Sequence, residues 1–223
     1  MRLIANEPET PTTRRIRLAI DGRPYSYRAG QAASLSLRND PTPYSIASSP
    51  RESERFAWLE FLIKIDGSTR FGAAVEDLPA GTEVDVSDPF GSFTAAGVAD
   101  HAPLLFIAGG TGIAPLRSML YEALDDRHPL SLVYSARTPH EFAYRAALQD
   151  LADTGRIALT LTLTGQADDW LHARGRTGIA HLSEHVQPGV VALVCGPPAM
   201  VKEVPVALES LGVTRDRIRT EHW

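Results

Sequence analysis

The stretch Phe106-Ile-Ala-Gly109-Gly110-Thr111-Gly112-Ile-Ala-Pro115 joins a short apolar run to a segment with helical spacing. Glycines at such a junction let the backbone turn tightly and approach a ligand closely. The helix start that follows offers free N–H groups and a positive dipole end, which suit a pyrophosphate. The spacing is Gly-x-Gly-x-x-Pro, not the Gly-x-Gly-x-x-Gly of the standard dinucleotide fingerprint. An ordinary strand-to-helix turn is the alternative. The strand–turn–helix context favours a dinucleotide role for Gly109, Gly110, Thr111, Gly112 and Pro115.

Two further stretches fit the same ligand. The next apolar run ends in Tyr134-Ser135-Ala136-Arg137, with no acid placed to hold a ribose 2′-hydroxyl. Ser135 and Arg137 suit a 2′-phosphate instead, because a guanidinium grips phosphate oxygens in a fork. That leans towards NADPH over NADH. A later run ends in Cys195-Gly196-Pro197-Pro198. Strand carboxyl ends face the ligand in open α/β sheets, so Cys195 is expected near the reactive ring, with Gly196 and Pro197 beside it. In the first half, Pro43-Tyr44-Ser45-Ile46-Ala47-Ser48-Ser49-Pro50 offers a ring that can stack on a flat heterocycle and hydroxyls that can bond its nitrogens. Taken alone, these residues also fit a plain strand and turn.

The elements that must position these residues change character near residue 100. Before it, short alternating runs at 14–20, 32–37, 58–65 and 82–86 are separated by Gly, Pro, Asp and Asn, which predicts an antiparallel barrel or sandwich. After it, apolar runs at 103–108, 130–134, 157–163, 190–195 and 217–223 alternate with helical patterns at 112–124, 141–151, 179–186 and 198–211. That alternation predicts a doubly wound parallel sheet with helices on both faces. Pro205 is expected to kink or break the last helix. The expected division is 1–98 and 99–223, with the linker near 95–102.

Bulk composition narrows the function class. The 223 residues are 43% apolar and 22% charged, ordinary for a folded protein with a large core. A net charge of −5 argues against bulk nucleic-acid binding, although Arg14, Arg15, Arg17, Arg23 and Arg28 give the N-terminal segment a basic bias. The single cysteine cannot form an internal disulfide or hold an iron–sulfur cluster, so any such relay is expected on another polypeptide. No signal-like or membrane-spanning run is present, and a cytoplasmic protein is the expectation. The seven histidines lack metal spacing, so no metal is expected, and no Gly-x-Ser-x-Gly elbow points to hydrolysis.

The motifs form an ordered set: Gly30-Gln31, Tyr44-Ser45, Pro89-Phe90-Gly91-Ser92-Phe93, the glycine turn with Pro115, Cys195-Gly196-Pro197-Pro198, and Glu221-His222-Trp223. As a set, over essentially the whole chain, they resemble the ferredoxin–NADP reductase superfamily. The resemblance implies an antiparallel β-barrel that binds FAD, followed by an α/β domain that binds NADP or NAD. It implies that Tyr44 stacks on the isoalloxazine and that Ser45 bonds near flavin N5. Ile46, Ala47 and Ser48 would line the ring and ribityl chain. Ser68 and Thr69, in Gly67-Ser68-Thr69-Arg70-Phe71, would hold the flavin pyrophosphate. Thr111 and its glycines would hold the NAD(P) pyrophosphate, and Cys195 would lie beside nicotinamide C4. Glu221 and Trp223 would form the carboxyl end, with the indole over the other flavin face as a gate. One position departs from the family pattern Arg-x-Tyr-Ser, because Thr42 stands where the arginine pairs with flavin phosphate. Arg38, Arg51 and Arg70 are the candidates to replace it. FAD is the expected flavin and FMN the alternative.

The implied activity is hydride transfer from NAD(P)H to flavin, with electrons passed on to a separate acceptor such as a ferredoxin. Ser45, Cys195, Glu221 and Trp223 would be the residues nearest the chemistry. A flavin reductase acting on a small acceptor and a non-catalytic nucleotide-binding electron-transfer subunit are the alternatives.

Overall fold

In the computed structural model, every residue is described except Arg23, Asp66, Ser68, Arg127 and Trp223. Two first-half elements, Leu3–Thr10 (β1) and Thr13–Ala19 (β2), form an antiparallel pair. Ala32–Leu37 (β3), Asn39–Ser45 (β4), Pro50–Phe56 (α1), Trp58–Lys64 (β5), Arg70–Ala74 (α2) and Asp85–Val86 (β6) follow. The strands make two three-stranded antiparallel sheets, in the orders β1-β2-β5 and β4-β3-β6. Ile16, Leu18, Leu35, Leu59, Phe61 and Ile63 are fully buried between them. A single bridge, Ile46 to Phe61, links the end of β4 to β5. The antiparallel architecture is as expected, but no continuous ladder closes it into a ring among the described residues.

Several of these elements lack a sequence pattern of their own. β1 contains Asn6, Glu7, Pro8 and Glu9 and shows no alternation; it exists because β2 supplies a long ladder, with irregularities near Ala5 and Pro8. β4 tolerates Pro41 and Pro43 because it is an edge strand, where missing donors face no neighbour. α1 does carry a signal, the box Ser49-x-x-Glu52 with Pro50 at the first helical position. Both reciprocal bonds of the box are present, at 3.1 and 2.8 Å.

The second half runs Leu104–Gly109 (β7), Ile113–Ala123 (α3), Leu130–Ala136 (β8), Arg145–Asp153 (α4), Ala158–Leu163 (β9), Ala173–Arg174 (β10), Ile179–Leu182 (α5), Val191–Gly196 (β11), Pro198–Ser210 (α6) and Ile218–His222 (β12). Its six-stranded sheet is parallel, in the order β10-β9-β8-β7-β11-β12. Leu104, Phe106 and Ala108 of β7 enter the core shared with α3, α4 and the first-half residues Ala47, Leu62 and Phe93. Leu105 and Ile107 enter the core under α5 and α6. Burial on both faces explains why these strands read as unbroken apolar runs. α6 is a single helix from Pro198 to Ser210, so Pro205 does not break it; the proline is buried, and packing carries the helix past the lost hydrogen bond. α4 starts four residues later than the periodicity suggests, because Tyr144 adopts a left-handed conformation (φ 59°) just before it. No helix among the described residues is long and apolar enough to cross a membrane.

Candidate functional site

Strand order reverses between β7 and β11, the place where open α/β sheets bind ligands beyond their carboxyl ends. β7 ends at Gly109, a tight turn covers Gly110–Gly112, and α3 begins at Ile113. β11 ends beside it at Gly196. The two strand ends interlock. A Cβ on Gly112 would lie 2.3 Å from the Cys195 carbonyl oxygen, and one on Gly109 2.8 Å from the Pro197 ring. Gly112 is therefore set by a backbone contact and Gly109 by the Pro197 ring, while Gly110 takes a left-handed φ of 54°, and the turn's N–H groups stay close to any ligand above them. Tyr134 Oη donates to the Gly110 carbonyl at 3.0 Å and so fixes the turn from β8.

Above this turn is a cavity of about 440 Å³. Gly109, Gly110, Thr111, Gly112, Ser135, Arg137, Gly196 and Pro197 all line it, so most of the expected dinucleotide residues meet in one place. Pro115 and Cys195 do not line it. Pro115 is buried in α3, and Cys195 is buried in β11 with no exposed surface. Sequence reasoning missed the lining residues Thr164, Arg176 and Thr177, and Thr10, Thr12, Thr13, Leu62 and Lys64 from the first half. Arg176 pairs with Glu203 at 3.0 Å. Glu141 also lines the cavity and accepts the Arg137 backbone N–H at 3.3 Å. No local motif marks Thr10, Thr12 and Thr13, since they arrive from the β1–β2 turn, far from the glycine turn in the chain. The Arg174-Gly175-Arg176 turn is a signal that could have been read.

The second candidate region centres on residues 44–48. Tyr44 is half-buried, its hydroxyl 2.8 Å from Thr69 Oγ1 and its ring tilted against Phe71 at 5.8 Å. Thr69 caps α2 by accepting from the Gly72 N–H at 2.9 Å. The fold thus joins two expected flavin residues that are 25 positions apart. Ser45 is buried, and its hydroxyl has no hydrogen-bond partner among the described residues. Ile46, Ala47 and Ser48 have no exposed surface. The Ser48 hydroxyl is used inside the fold, within 3.1 Å of Tyr27 Oη, Ser53 Oγ and the Glu60 N–H. Thr42 is half-buried opposite Leu35. Of the three replacement arginines, Arg51 is spent on Glu122, Asp125 and Asp126. Arg70 lies against Asp40, two residues from Thr42. Arg38 is at the turn before β4 with φ 77°.

At the carboxyl end, Glu221 of β12 pairs in register with Cys195. One carboxylate oxygen, Oε2, is buried with no partner among the described residues, and burial pushes this carboxyl up to about 7. Ser68 and Trp223, the other expected site residues, lie outside the described residues.

An unsatisfied buried hydroxyl at Ser45 and an unsatisfied buried carboxylate oxygen at Glu221 are costly unless a polar partner completes them. A flavin ring, with donor and acceptor nitrogens along one edge, is a group that fits both demands. The glycine turn, with Ser135 and Arg137 in the same cavity, fits a phosphorylated dinucleotide.

Comparison with known proteins gives a consistent result. Residues 106–205 match the family described as the oxidoreductase NAD-binding domain. Ferredoxin–NADP reductase B of Sorangium cellulosum is 32% identical over 245 aligned positions, which cover 100% of this chain and 96% of that protein. Reductase component 2 of the Comamonas terephthalate 1,2-dioxygenase is 30% identical, and the match covers 89% of this chain but only 60% of that protein. A ferredoxin NADP+ reductase from Neisseria gonorrhoeae, solved with bound FAD and NADP, superposes with a TM-score of 0.82 at 21% identity, over 99% of this chain and 96% of that one, which shows the shared fold.

Proposed function

The chain belongs to the ferredoxin–NADP reductase superfamily, and from that premise we propose that it takes hydride from NADPH onto FAD and passes the electrons to a separate acceptor. The observation that carries this reading is the shared cavity, where the glycine turn, Ser135 and Arg137 face the first-half residues Thr12, Leu62 and Lys64. FAD supplies the chemistry, accepting a hydride as one two-electron step and releasing electrons singly or as a pair. Residues 1–98 carry the flavin and 99–223 the nucleotide. Tyr44, held by Thr69 and Phe71, presents a ring for stacking. Ser45, whose buried hydroxyl has no partner among the described residues, would donate to the flavin edge near N5, and the buried Ile46, Ala47 and Ser48 would support the ring and ribityl chain. Thr69 and Ser68 would hold the flavin phosphates, with Arg70 taking the role of the missing arginine.

On the nucleotide side, residues 109–112 cradle the pyrophosphate on α3. Ser135 and Arg137 take the 2′-phosphate, with Arg176 also lining the cavity. Cys195, buried at the end of β11 next to Gly196 and Pro197 of the cavity wall, would back the nicotinamide from within the sheet. Glu221, held largely protonated below about pH 7 by burial, can donate where a carboxylate cannot. Trp223, outside the described residues, is the residue this reading would assign to the flavin face that the nicotinamide must reach.

The acceptor is a small electron-carrier protein of the ferredoxin type, met in the cytoplasm. Support comes from the two named relatives, one a ferredoxin–NADP reductase and the other the reductase component of a dioxygenase. Reconstitution with FAD, then anaerobic titration with NADPH and separately NADH, tests the reading. The expected result is a yellow protein whose flavin band bleaches at one equivalent of NADPH. A protein that takes up no flavin, or whose flavin stays oxidised with both nucleotides, overturns it.

A further inference from the structure

α3 leaves the glycine turn at Ile113, and about 6 Å further along the helix it carries Arg117. This arginine is only 7% exposed. Its Nη1 donates to the Ala47 carbonyl at 2.8 Å, and both terminal nitrogens grip the Glu52 carboxylate at 2.9 Å in a fork. The guanidinium lies 4.1 Å over the Tyr121 ring and 4.9 Å over Tyr144. The next residue, Ser118, has no exposed surface and donates its hydroxyl to the Ser48 carbonyl at 2.6 Å. Two adjacent residues of one helix therefore hold two adjacent carbonyls of the segment that follows Ser45.

The opposite side of that segment is held as firmly. The Ala47 N–H donates to the Glu60 carbonyl at 2.8 Å, and the Glu60 N–H donates to Ser48 Oγ at 3.1 Å. Glu60 itself is fully buried, paired with Arg17 at 2.8 Å and 3.9 Å from Arg117. Residues 47 and 48 are thus clamped between β5 and α3, and α3 is the helix that begins at the nucleotide turn. A strut that only joined two halves of a molecule would have no need to seize consecutive backbone carbonyls next to Ser45.

We propose that Arg117 and Ser118 are positioning residues, which set the depth of the flavin-facing segment against the nucleotide turn. This rests on the function proposed above. The physical reason is tolerance. Reacting atoms must be held about 3–3.5 Å apart, and a displacement of about 1 Å is worth roughly a hundredfold in rate. A charged fork and a short hydroxyl bond, both buried, fix peptide planes more tightly than apolar packing does.

The test uses the full chain reconstituted with FAD, in wild-type form and as Arg117→Lys and Ser118→Ala. Arg117→Lys keeps the charge but loses the fork, and Ser118→Ala leaves every charge in place. Three quantities are read: the visible circular dichroism of the bound flavin, the dissociation constant of 2′,5′-ADP, and the rate of flavin bleaching at saturating NADPH. The expected result is an altered flavin dichroism, a bleaching rate about tenfold lower for Arg117→Lys and about threefold lower for Ser118→Ala, and 2′,5′-ADP affinity within about twofold of wild type. Unchanged dichroism and rate in both variants overturn the proposal. So does a fall in 2′,5′-ADP affinity parallel to the fall in rate, which would mark general damage to the fold. Should Arg117→Lys not fold, Ser118→Ala decides on the same criteria. If the wild-type chain takes up no FAD, the functional reading fails first, and that outcome is distinct from a loaded wild type whose variants behave like it.

Discussion

The turn at residues 109–112 and the segment at 44–48, assigned to one reaction in the proposed function, are built in opposite ways. The turn is made of backbone. At Gly112 and Gly109 a side chain is excluded, because the Cys195 carbonyl and the Pro197 ring already occupy the space where it would sit. The segment at 44–48 is made of side chains and carbonyls, each held by a partner from a distant element: Tyr44 by Thr69, Ser48 by Tyr27, Ala47 by Arg117. A site built of backbone exists once its few sheet neighbours, here β8 and β11, are in place. A site built of borrowed contacts exists only when the whole molecule does. Damage to the first is therefore expected to be all or none, and damage to the second graded.

The sharpest way to break that contrast is Gly112→Ala. With the new Cβ forced to 2.3 Å from a backbone oxygen, the strand end and turn must move apart. We expect a stability loss of about 3 kcal/mol or more and no measurable NADPH binding. Thermal unfolding and calorimetric titration check it, and near-normal binding would show that the turn is less tightly built than argued. Next in size is Arg137→Ala. Losing a charge-assisted bond is worth about 1.5–3 kcal/mol, so NADPH affinity should fall roughly ten- to a hundredfold while NADH affinity changes little. Equal losses for both nucleotides would remove Arg137 from the 2′-phosphate site.

The graded side is sampled by Tyr44→Phe. It keeps the ring and deletes the 2.8 Å bond to Thr69, so flavin affinity should fall only about fivefold, by roughly 1 kcal/mol. Fluorescence titration with FAD reads this directly. Loss of all flavin would mean the hydroxyl does more than orient the ring.

The two regions also differed in how plainly they could be read. The second half announces itself, because strands buried on both faces are continuous apolar runs and helices repeat at their own period, as in β7 and α3. The glycine turn sits at a junction where those two patterns meet, between β7 and α3. Most of its neighbours in the cavity, Ser135, Arg137, Gly196 and Pro197, lie at strand carboxyl ends and were legible for that reason. The threonines of the β1–β2 turn were not, since no local pattern says which surface a distant hairpin will meet. β1 and β4 hid for a related reason: their residues are poor strand formers, and pairing with β2 and β3 overrides the local preference. The buried pair Arg117 and Glu52 was invisible too, because a charge 65 residues from its partner looks like a solvated surface charge.

The smallest expected effect concerns Glu221. Burial raises its carboxyl from the ordinary 4.5 to about 7, so the native state holds a proton that the unfolded state releases between those values. Stability should then decline as pH rises through that window and level off above it. Glu221→Gln removes the slope and stabilises the protein above pH 7 by about 1 kcal/mol, after allowance for the exposed part of the side chain. Urea unfolding at about pH 5 and about pH 8 checks it. A variant that keeps the wild-type slope would assign the pH dependence elsewhere.

The central claim is that nicotinamide and flavin meet directly in the cleft between the two halves. Anaerobic rapid mixing of the FAD-loaded chain with NADPH deuterated at C4, against unlabelled NADPH, tests it most directly. The prediction is a single bleaching phase that slows with the label on one face of the ring and not on the other. Bleaching indifferent to the label on either face, or no bleaching at all, would contradict it.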